Sequence, residues 1–197
     1  MLATYEATVF EPEDRLLNRC RAGDLDAFSE VYAQYERQVF RYAYHLLGHA
    51  DDADDVKQET FLRAYRAISK FRSDCSLKTW LLRICTNLCR DRIKSKSRHK
   101  EVLYDPHDVP ADLFWDTDAI DPHEVAERSQ MVAVVRSALK GMPEDQRNII
   151  MLREVEDLSY EEIAEVIGCS RASVKLRLFR ARQRLRERVD CLMQPLK

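Results

Sequence analysis

The sequence predicts an all-α protein: two small helical domains joined by an extended acidic linker, the C-terminal one a helix-turn-helix. Three observations carry this expectation. Apolar residues recur at three- and four-residue steps through most of the chain, and no stretch alternates with period two for long. The only glycines are Gly23, Gly48, Gly141 and Gly168, each where such a stretch ends, the place of a helix C-cap. From about Ser97 to Pro122 the periodicity stops: Pro106, Pro110 and Pro122 punctuate the segment, and Leu113, Phe114 and Trp115 are clustered rather than spaced. The boundaries expected are 1–97, 98–124 and 125–197.

The elements follow in order. Asp24 reads as an N-cap for a long helix whose stripe is Phe28, Val31, Tyr32, Tyr35, Val39, Tyr42, Ala43 and Leu46. After Asp51 and Asp52 comes a second stripe of Ala53, Val56, Phe61, Ala64, Tyr65 and Ile68. Ser76 opens a third, made of Leu77, Trp80, Leu81, Ile84 and Leu88, which places Trp80 in the core.

Near the C-terminus, LSYEEIAEVIGCSRASVKLRLFRARQRL has helix-turn-helix spacing. Ser159 and Glu162 form a capping box; Ile163, Ala164 and Ile167 face inward; Gly168 makes the turn, where a positive φ is cheap; Ser170 caps the second helix. Val174, Leu178, Ala181, Leu185, Val189 and Leu192 then form its core stripe, leaving Arg171, Lys175, Arg177, Arg180, Arg184 and Arg188 exposed. Between Arg171 and Arg188 there are eight basic residues and one acidic one. A solvated face usually mixes signs to form i,i+4 pairs. This crowding is relieved by phosphates, so the helix is expected to contact DNA, with its N-terminal part in the major groove.

Composition sets the outer limits. The chain has 197 residues, 45% hydrophobic and 34% charged, with a formal net charge of −2. That is a globular composition, and no apolar run approaches the roughly 20 residues of a membrane span. No secretion signal is read in MLATYEATVFEPEDR, so the expected compartment is the cytoplasm, with no membrane insertion. Bulk charge does not announce a nucleic-acid binder, but its distribution does: nine acidic residues and no Lys or Arg lie between Glu101 and Glu127. Cys20, Cys75, Cys85, Cys89, Cys169 and Cys191 include no CxxC pair and read as small buried hydrophobes. His45 and His49 are four apart without a third ligand, so no metal and no cofactor is expected.

Two stretches in the N-terminal half bear on function. In DDADDVKQETFLRAYRAISKF, first-turn acids suit the helix dipole, while their continuation to Gln58 and Glu59 suits a protein-binding face. After it, a polar loop leads to a helix ending in Arg90, Arg92, Lys94, Lys96, Arg98 and Lys100, a pattern fitting single-stranded nucleic acid.

With ADDVKQETFLRAY, TWLLRICTNLCRDRI, MPEDQRNIIMLREVEDLSYEEIAEVIG and SVKLRLFRAR in this order, the chain resembles a bacterial sigma factor of the extracytoplasmic-function group of the sigma-70 family. The resemblance covers nearly everything from Asp14 to Arg188 except the linker. It implies a non-enzymatic transcription initiation factor that lends promoter recognition to RNA polymerase. Domain 1–97 corresponds to sigma region 2 and 125–197 to region 4. It carries Asp55, Gln58, Glu59 and Leu62 over as contacts to the clamp helices of the polymerase largest subunit, with the polymerase flap as a further contact. The loop Ser69 to Ser76, with Phe71, Arg72, Ser73 and Asp74, matches the one that captures a flipped base of the −10 element; Asn87, Arg90 and Asp91 match the helix that reads or melts that element. Arg171, Ser173, Lys175, Leu176, Phe179 and Arg180 match the −35 reader. The linker matches a segment that threads toward the RNA exit and active-centre channels, and an anti-sigma factor is the further partner implied. Two positions depart from the pattern: Ala172 and Ser173 stand where a Gly-Thr pair is frequent, and Leu176 where many members have Ser.

Two other classes make different demands. A stand-alone helix-turn-helix regulator would bind duplex DNA tightly by itself, usually as a dimer on a palindrome. A resolvase-like recombinase would need an α/β domain, and period-two strands are missing.

Overall fold

A computed structural model describes residues 13–98 and 122–193. The described residues are helical, with no strand among them. The elements are α1 (Glu13–Arg21), α2 (Leu25–Leu47), α3 (Ala50–Ala67), a 3₁₀ turn (Ile68–Lys70), α4 (Leu77–Arg98), α5 (Pro122–Lys140), α6 (Glu144–Ile150) running on as a π-helical turn (Met151–Val155), α7 (Tyr160–Ile167) and α8 (Arg171–Met193). The acidic part of the expected linker, 99–121, lies outside the described residues. Its last three positions, 122–124, are helical: Pro122 opens α5, where its fixed φ suits a first turn and its missing N–H has no partner to lose.

Helices α1–α4 form the first unit. The Asp24 carboxylate caps α2 by accepting from the backbone N–H groups of Asp26 and Ala27 at 2.9 and 3.2 Å. At the other end Gly48 takes the left-handed conformation, φ 72°, and donates its N–H to the Tyr44 carbonyl, which turns the chain into α3. Helix α4 starts at a double cap. Ser76 Oγ accepts from the Thr79 N–H at 3.1 Å, and Glu13 of α1 accepts from the Leu77 N–H at 2.9 Å. Helices α2, α3 and α4 pack against one another over a core that includes Val31, Tyr42, Leu46, Phe61, Leu77 and Leu81. Tyr65, expected on the buried stripe, is 43% exposed and meets Phe28 edge to face instead.

Cys20, Cys85 and Cys89 are buried in this core, Cys75 and Cys169 are half-buried, and Cys191 is exposed; all are free thiols. Burial pushes the Cys75 thiol up to about 11, with Glu165 beside it, and the Cys85 contact together with burial pushes Cys89 well above its ordinary value. His45 is surrounded by positive charge: burial, then Arg41, Arg136 and Arg147, lower it to about 3. A neutral imidazole among three arginines is a poor seat for a metal cation.

Helices α5–α8 form the second unit, with α8 packed on α5, α6 and α7. Val174, Leu178 and Ala181 of α8 are buried as expected, but the stripe fades toward the end and Leu192 is 47% exposed. Arg188 is not fully in solvent: its Nε donates to the Ala138 carbonyl at 2.8 Å, tying α8 to the end of α5.

Candidate nucleic-acid interface

The helix-turn-helix is assembled from its caps inward. Ser159 Oγ accepts from the Glu162 N–H at 3.2 Å, and the Glu162 carboxylate accepts from the Ser159 N–H at 2.9 Å, which satisfies two donors reciprocally. Gly168, φ 74°, ends α7, and both its N–H and that of Cys169 reach the Ala164 carbonyl. Ser170 then caps α8 through the Ser173 N–H at 3.2 Å. Ile163 and Val166 are buried while Ala164 and Ile167 are partly so; Val166, three residues after Ile163, adds to the inward face that the sequence predicts.

The outward face of α8 combines charge with exposed apolar groups. Lys175 and Arg180 are exposed and have no carboxylate partner among the described residues. Arg171 pairs with Glu161 of α7 at 2.8 Å, and Arg182 with Glu154 at 2.6 Å, so two of the eight cations are partly neutralised. Leu176 is 51% and Phe179 65% exposed, one turn apart between these cations, while Ser173 is half-buried against Ser170.

The loop after α3 stands on an aromatic base. Phe71 is buried and stacks on Trp80, ring centroids 4.7 Å apart. In this structure the Phe71 ring is part of the core and supports the loop from beneath. Arg21 of α1 clamps the loop, donating to the Phe71 carbonyl at 2.8 and 3.2 Å and to Ser73 Oγ at 2.6 Å. Ser73 sits in the left-handed region, φ 56°, a conformation that costs a non-glycine residue about 1 kcal/mol and that the clamp helps hold. Arg72, Ser73 and Asp74 are thereby presented to solvent. Further along α4, Asn87 and Asp91 are exposed and Arg90 half-buried, at the i, i+3, i+4 spacing of one helix face. Sequence reading missed Arg21 and Glu13, whose only signal is their charge on a short amphipathic helix far from the loop in sequence.

On α3, Asp55, Gln58, Glu59 and Leu62 share a face by their i, i+3, i+4, i+7 spacing, with Leu62 42% exposed. The acids around them divide their work. Asp52 is buried and takes bonds from Arg92 and Lys96 of α4. Asp54 accepts from Lys57 and from Gln58, and Glu59 from Arg63. Asp55 is shared with Arg92 at 2.9 Å but its side chain stays 62% exposed. Tyr65, one turn beyond Leu62, is exposed and extends the apolar border of this face.

The match to known families covers both units. Residues 31–99 match sigma-70 region 2 and residues 133–185 match sigma-70 region 4. The chain belongs to the sigma-70 family, as an extracytoplasmic-function sigma factor. It is 34% identical to the RNA polymerase sigma-H factor of Pseudomonas aeruginosa over 190 residues, covering 94% of this chain and 96% of that one. It is 33% identical to the ECF RNA polymerase sigma-E factor of Escherichia coli over 185 residues, covering 92% and 94%. Among solved structures, CnrH in complex with the cytosolic domain of CnrY superposes with a TM-score of 0.66 at 26% identity, over 92% of this chain and 99% of that one. RpoE in complex with the anti-sigma factor NepR from Bartonella quintana shares the fold, with a TM-score of 0.68 at 24% identity, over 84% and 98%. A sigma factor directs RNA polymerase to promoters and is not itself an enzyme. Among the described residues of this one, no helix is long and apolar enough to cross a membrane.

Proposed function

We propose that this sigma factor divides promoter recognition between its two units in the following way. The unit at 1–97 docks on the polymerase clamp helices through Asp55, Gln58, Glu59 and Leu62. It takes non-template bases of the −10 element at Arg72, Ser73 and Asp74, and along α4 at Asn87, Arg90 and Asp91. Binding of the extruded bases offsets the few kcal/mol that unpairing costs. The unit at 125–197 lays the start of α8 in the major groove at −35, with Arg171, Ser173, Lys175, Leu176, Phe179 and Arg180 toward the DNA. The segment 98–124 threads toward the RNA exit and active-centre channels, where its acidity suits a channel built for RNA. An anti-sigma factor that holds the chain inactive is supported by CnrH, which is solved with the cytosolic domain of CnrY.

The observation that carries the −35 assignment is the pairing of exposed Leu176 and Phe179 with Lys175 and Arg180 on one helix face. Large apolar side chains in solvent are unfavourable in the free protein and become useful against the C5-methyl of thymine in the major groove. Two outcomes are expected. Arg180→Ala flattens the salt dependence of −35 duplex binding by about one counterion; an unchanged slope removes Arg180 from the contact. Replacing thymine by deoxyuridine in the −35 strand, base by base, weakens binding about fourfold at the base beside Leu176, the worth of one buried methyl at about 0.8 kcal/mol. Leu176→Ser makes that position indifferent to the methyl. Equal sensitivity in both proteins removes Leu176 from base reading.

A further inference from the structure

One short helix holds both ends of the loop that precedes α4. Helix α1 has nine residues, with Glu13 and Arg21 at its two ends, about 12 Å apart along the axis. Arg21 takes the start of the loop. Its Nε and Nη2 both donate to the Phe71 carbonyl, at 3.2 and 2.8 Å, and Nη2 also reaches Ser73 Oγ at 2.6 Å. Nη1 donates to Asn18 Oδ1 at 3.1 Å, one turn back on α1, which steadies the planar guanidinium. Glu13 takes the far end by accepting from the Leu77 N–H at 2.9 Å. Between these two ends lie Arg72, Ser73 and Asp74, all exposed. The helix is itself anchored. Leu16, Leu17 and Cys20 bury its inner face. Arg19, two residues before Arg21 and so about 200° round the helix, pairs with Asp24 at 2.8 Å and with Glu30 of α2 at 2.9 Å. The clamp on the loop is therefore tied through α1 to the core.

Ser73 supplies a second observation. Its φ of 56° lies in the left-handed region, which a serine keeps only where its surroundings over-determine it. Arg21 provides two of those determinants, one bond to the carbonyl two residues earlier and one to the Ser73 hydroxyl. The Phe71 ring, stacked on Trp80, provides a third from beneath. Because Ser73 Oγ accepts from a cation, its own proton is left for an acceptor outside the loop. Nothing in the fold of α1 requires Arg21 for its core, whose contacts come from Leu16, Leu17 and Cys20. Its bonds go to the loop, apart from the one to Asn18.

We propose that Arg21 is a positioning residue for −10 recognition, acting through Ser73 and the Phe71 carbonyl rather than on the strand itself. It holds the loop in the conformation that meets an extruded base. A loop ordered in advance loses little freedom when the base arrives, and its hydrogen-bonding groups are already aimed. Without the guanidinium, Ser73 relaxes toward an ordinary φ, and ordering the loop becomes a cost of binding. The affinity that the base adds then shrinks, while the affinity drawn from phosphates stays as it was. Arg21 thus sets selectivity at one position of the −10 element and leaves the others alone. The inference rests on the assignment of Arg72, Ser73 and Asp74 to a −10 base.

The test uses the full chain assembled with core RNA polymerase. The probe is a fluorescent single strand spanning the −10 region of a promoter that the wild-type holoenzyme selects from a library. A matched set of strands carries one abasic site each. The base read by the loop is the one whose removal ceases to matter once Arg72→Ala, Ser73→Ala and Asp74→Ala are combined. For wild type, removing that base is expected to weaken binding about tenfold. Arg21→Ala is expected to bind the intact strand about tenfold more weakly and the strand abasic at that position as wild type does, erasing the difference. Sensitivity at every other position is kept. Arg21→Lys, which retains charge and one donor, recovers part of the difference. An undiminished difference in Arg21→Ala overturns the positioning role and leaves the loop assignment standing. Equal weakening of intact and abasic strands, with a salt slope flatter by about 0.7, makes Arg21 a phosphate contact and overturns it too. Sensitivity lost at all positions alike in both variants marks a fold defect, against a role confined to one base. Should no base depend on the loop, the −10 assignment of Arg72, Ser73 and Asp74 is refuted and the role of Arg21 with it.

Discussion

Reversing the acidic face of α3, Asp55→Lys together with Glu59→Lys, is expected to weaken binding to core RNA polymerase by at least about 100-fold, near 2.7 kcal/mol. Both groups sit on the face that carries exposed Leu62, and neither supports the core. Asp55 shares Arg92 with Asp52, which keeps that arginine when Asp55 is changed. Glu59 holds only Arg63, itself half in solvent, and an exposed i,i+4 pair contributes about 0.3–0.5 kcal/mol. Stability should therefore move little while docking collapses, because two carboxylates of the proposed docking face become cations beside its apolar contact. Titration against core enzyme, alongside thermal unfolding monitored by circular dichroism, separates the two effects. Retained affinity would move the docking surface off α3.

Asp52 should behave in the opposite way. It lies in the same run of aspartates, yet its carboxylate is buried and receives Arg92 and Lys96 from α4, so it ties α3 to α4. Removing one partner of a fully buried pair costs about 3–5 kcal/mol; Arg92 and Lys96 are partly in water, so Asp52→Ala is expected to cost about 2 kcal/mol. For a chain of this length that lowers Tm by about 4–8 °C. Polymerase affinity of the folded fraction stays close to wild type. The pH dependence has a definite sign. Burial raises the Asp52 carboxyl, but the bonds from Lys96 and Arg92 outweigh it and hold it below its ordinary value. A carboxyl lowered on folding contributes stability above its unfolded pKa, about 3.9, and that contribution is lost as pH falls through the folded value. Wild type should thus lose part of its advantage over Asp52→Ala below about pH 4. A variant with wild-type Tm at neutral pH would show the Asp52 cluster to be ornamental.

The contrast between Asp52 and Asp55 marks where sequence reading stops. Caps and stripes are local, and they were legible: Asp24, Ser76, the Ser159–Glu162 box, Gly168 and the Val174–Leu178–Ala181 face all depend on spacings within a few residues. Trp80 was placed in the core because its stripe demanded it. The stacking of Phe71 on Trp80 was not legible, because it depends on how a loop folds back over α4. The clamp from Arg21 joins residues about fifty apart in sequence, and a charge on an amphipathic helix gives no hint of its partner. The burial of Glu156 is the furthest from reach. It follows from a π-helical turn after α6, where the Glu156 N–H bonds to the Met151 carbonyl and aims the carboxylate at α2. Nothing in MLREVEDLSY distinguishes that turn from an ordinary helix end.

The most direct test of the central claim is capture of bacterial core RNA polymerase by the purified protein, followed by run-off transcription on a promoter library. A sigma factor working as described binds core stoichiometrically and gives new starts that depend on both a −35 and a −10 sequence. Failure to bind core, together with tight and sequence-specific binding to duplex DNA alone, would contradict that function and point to a stand-alone regulator.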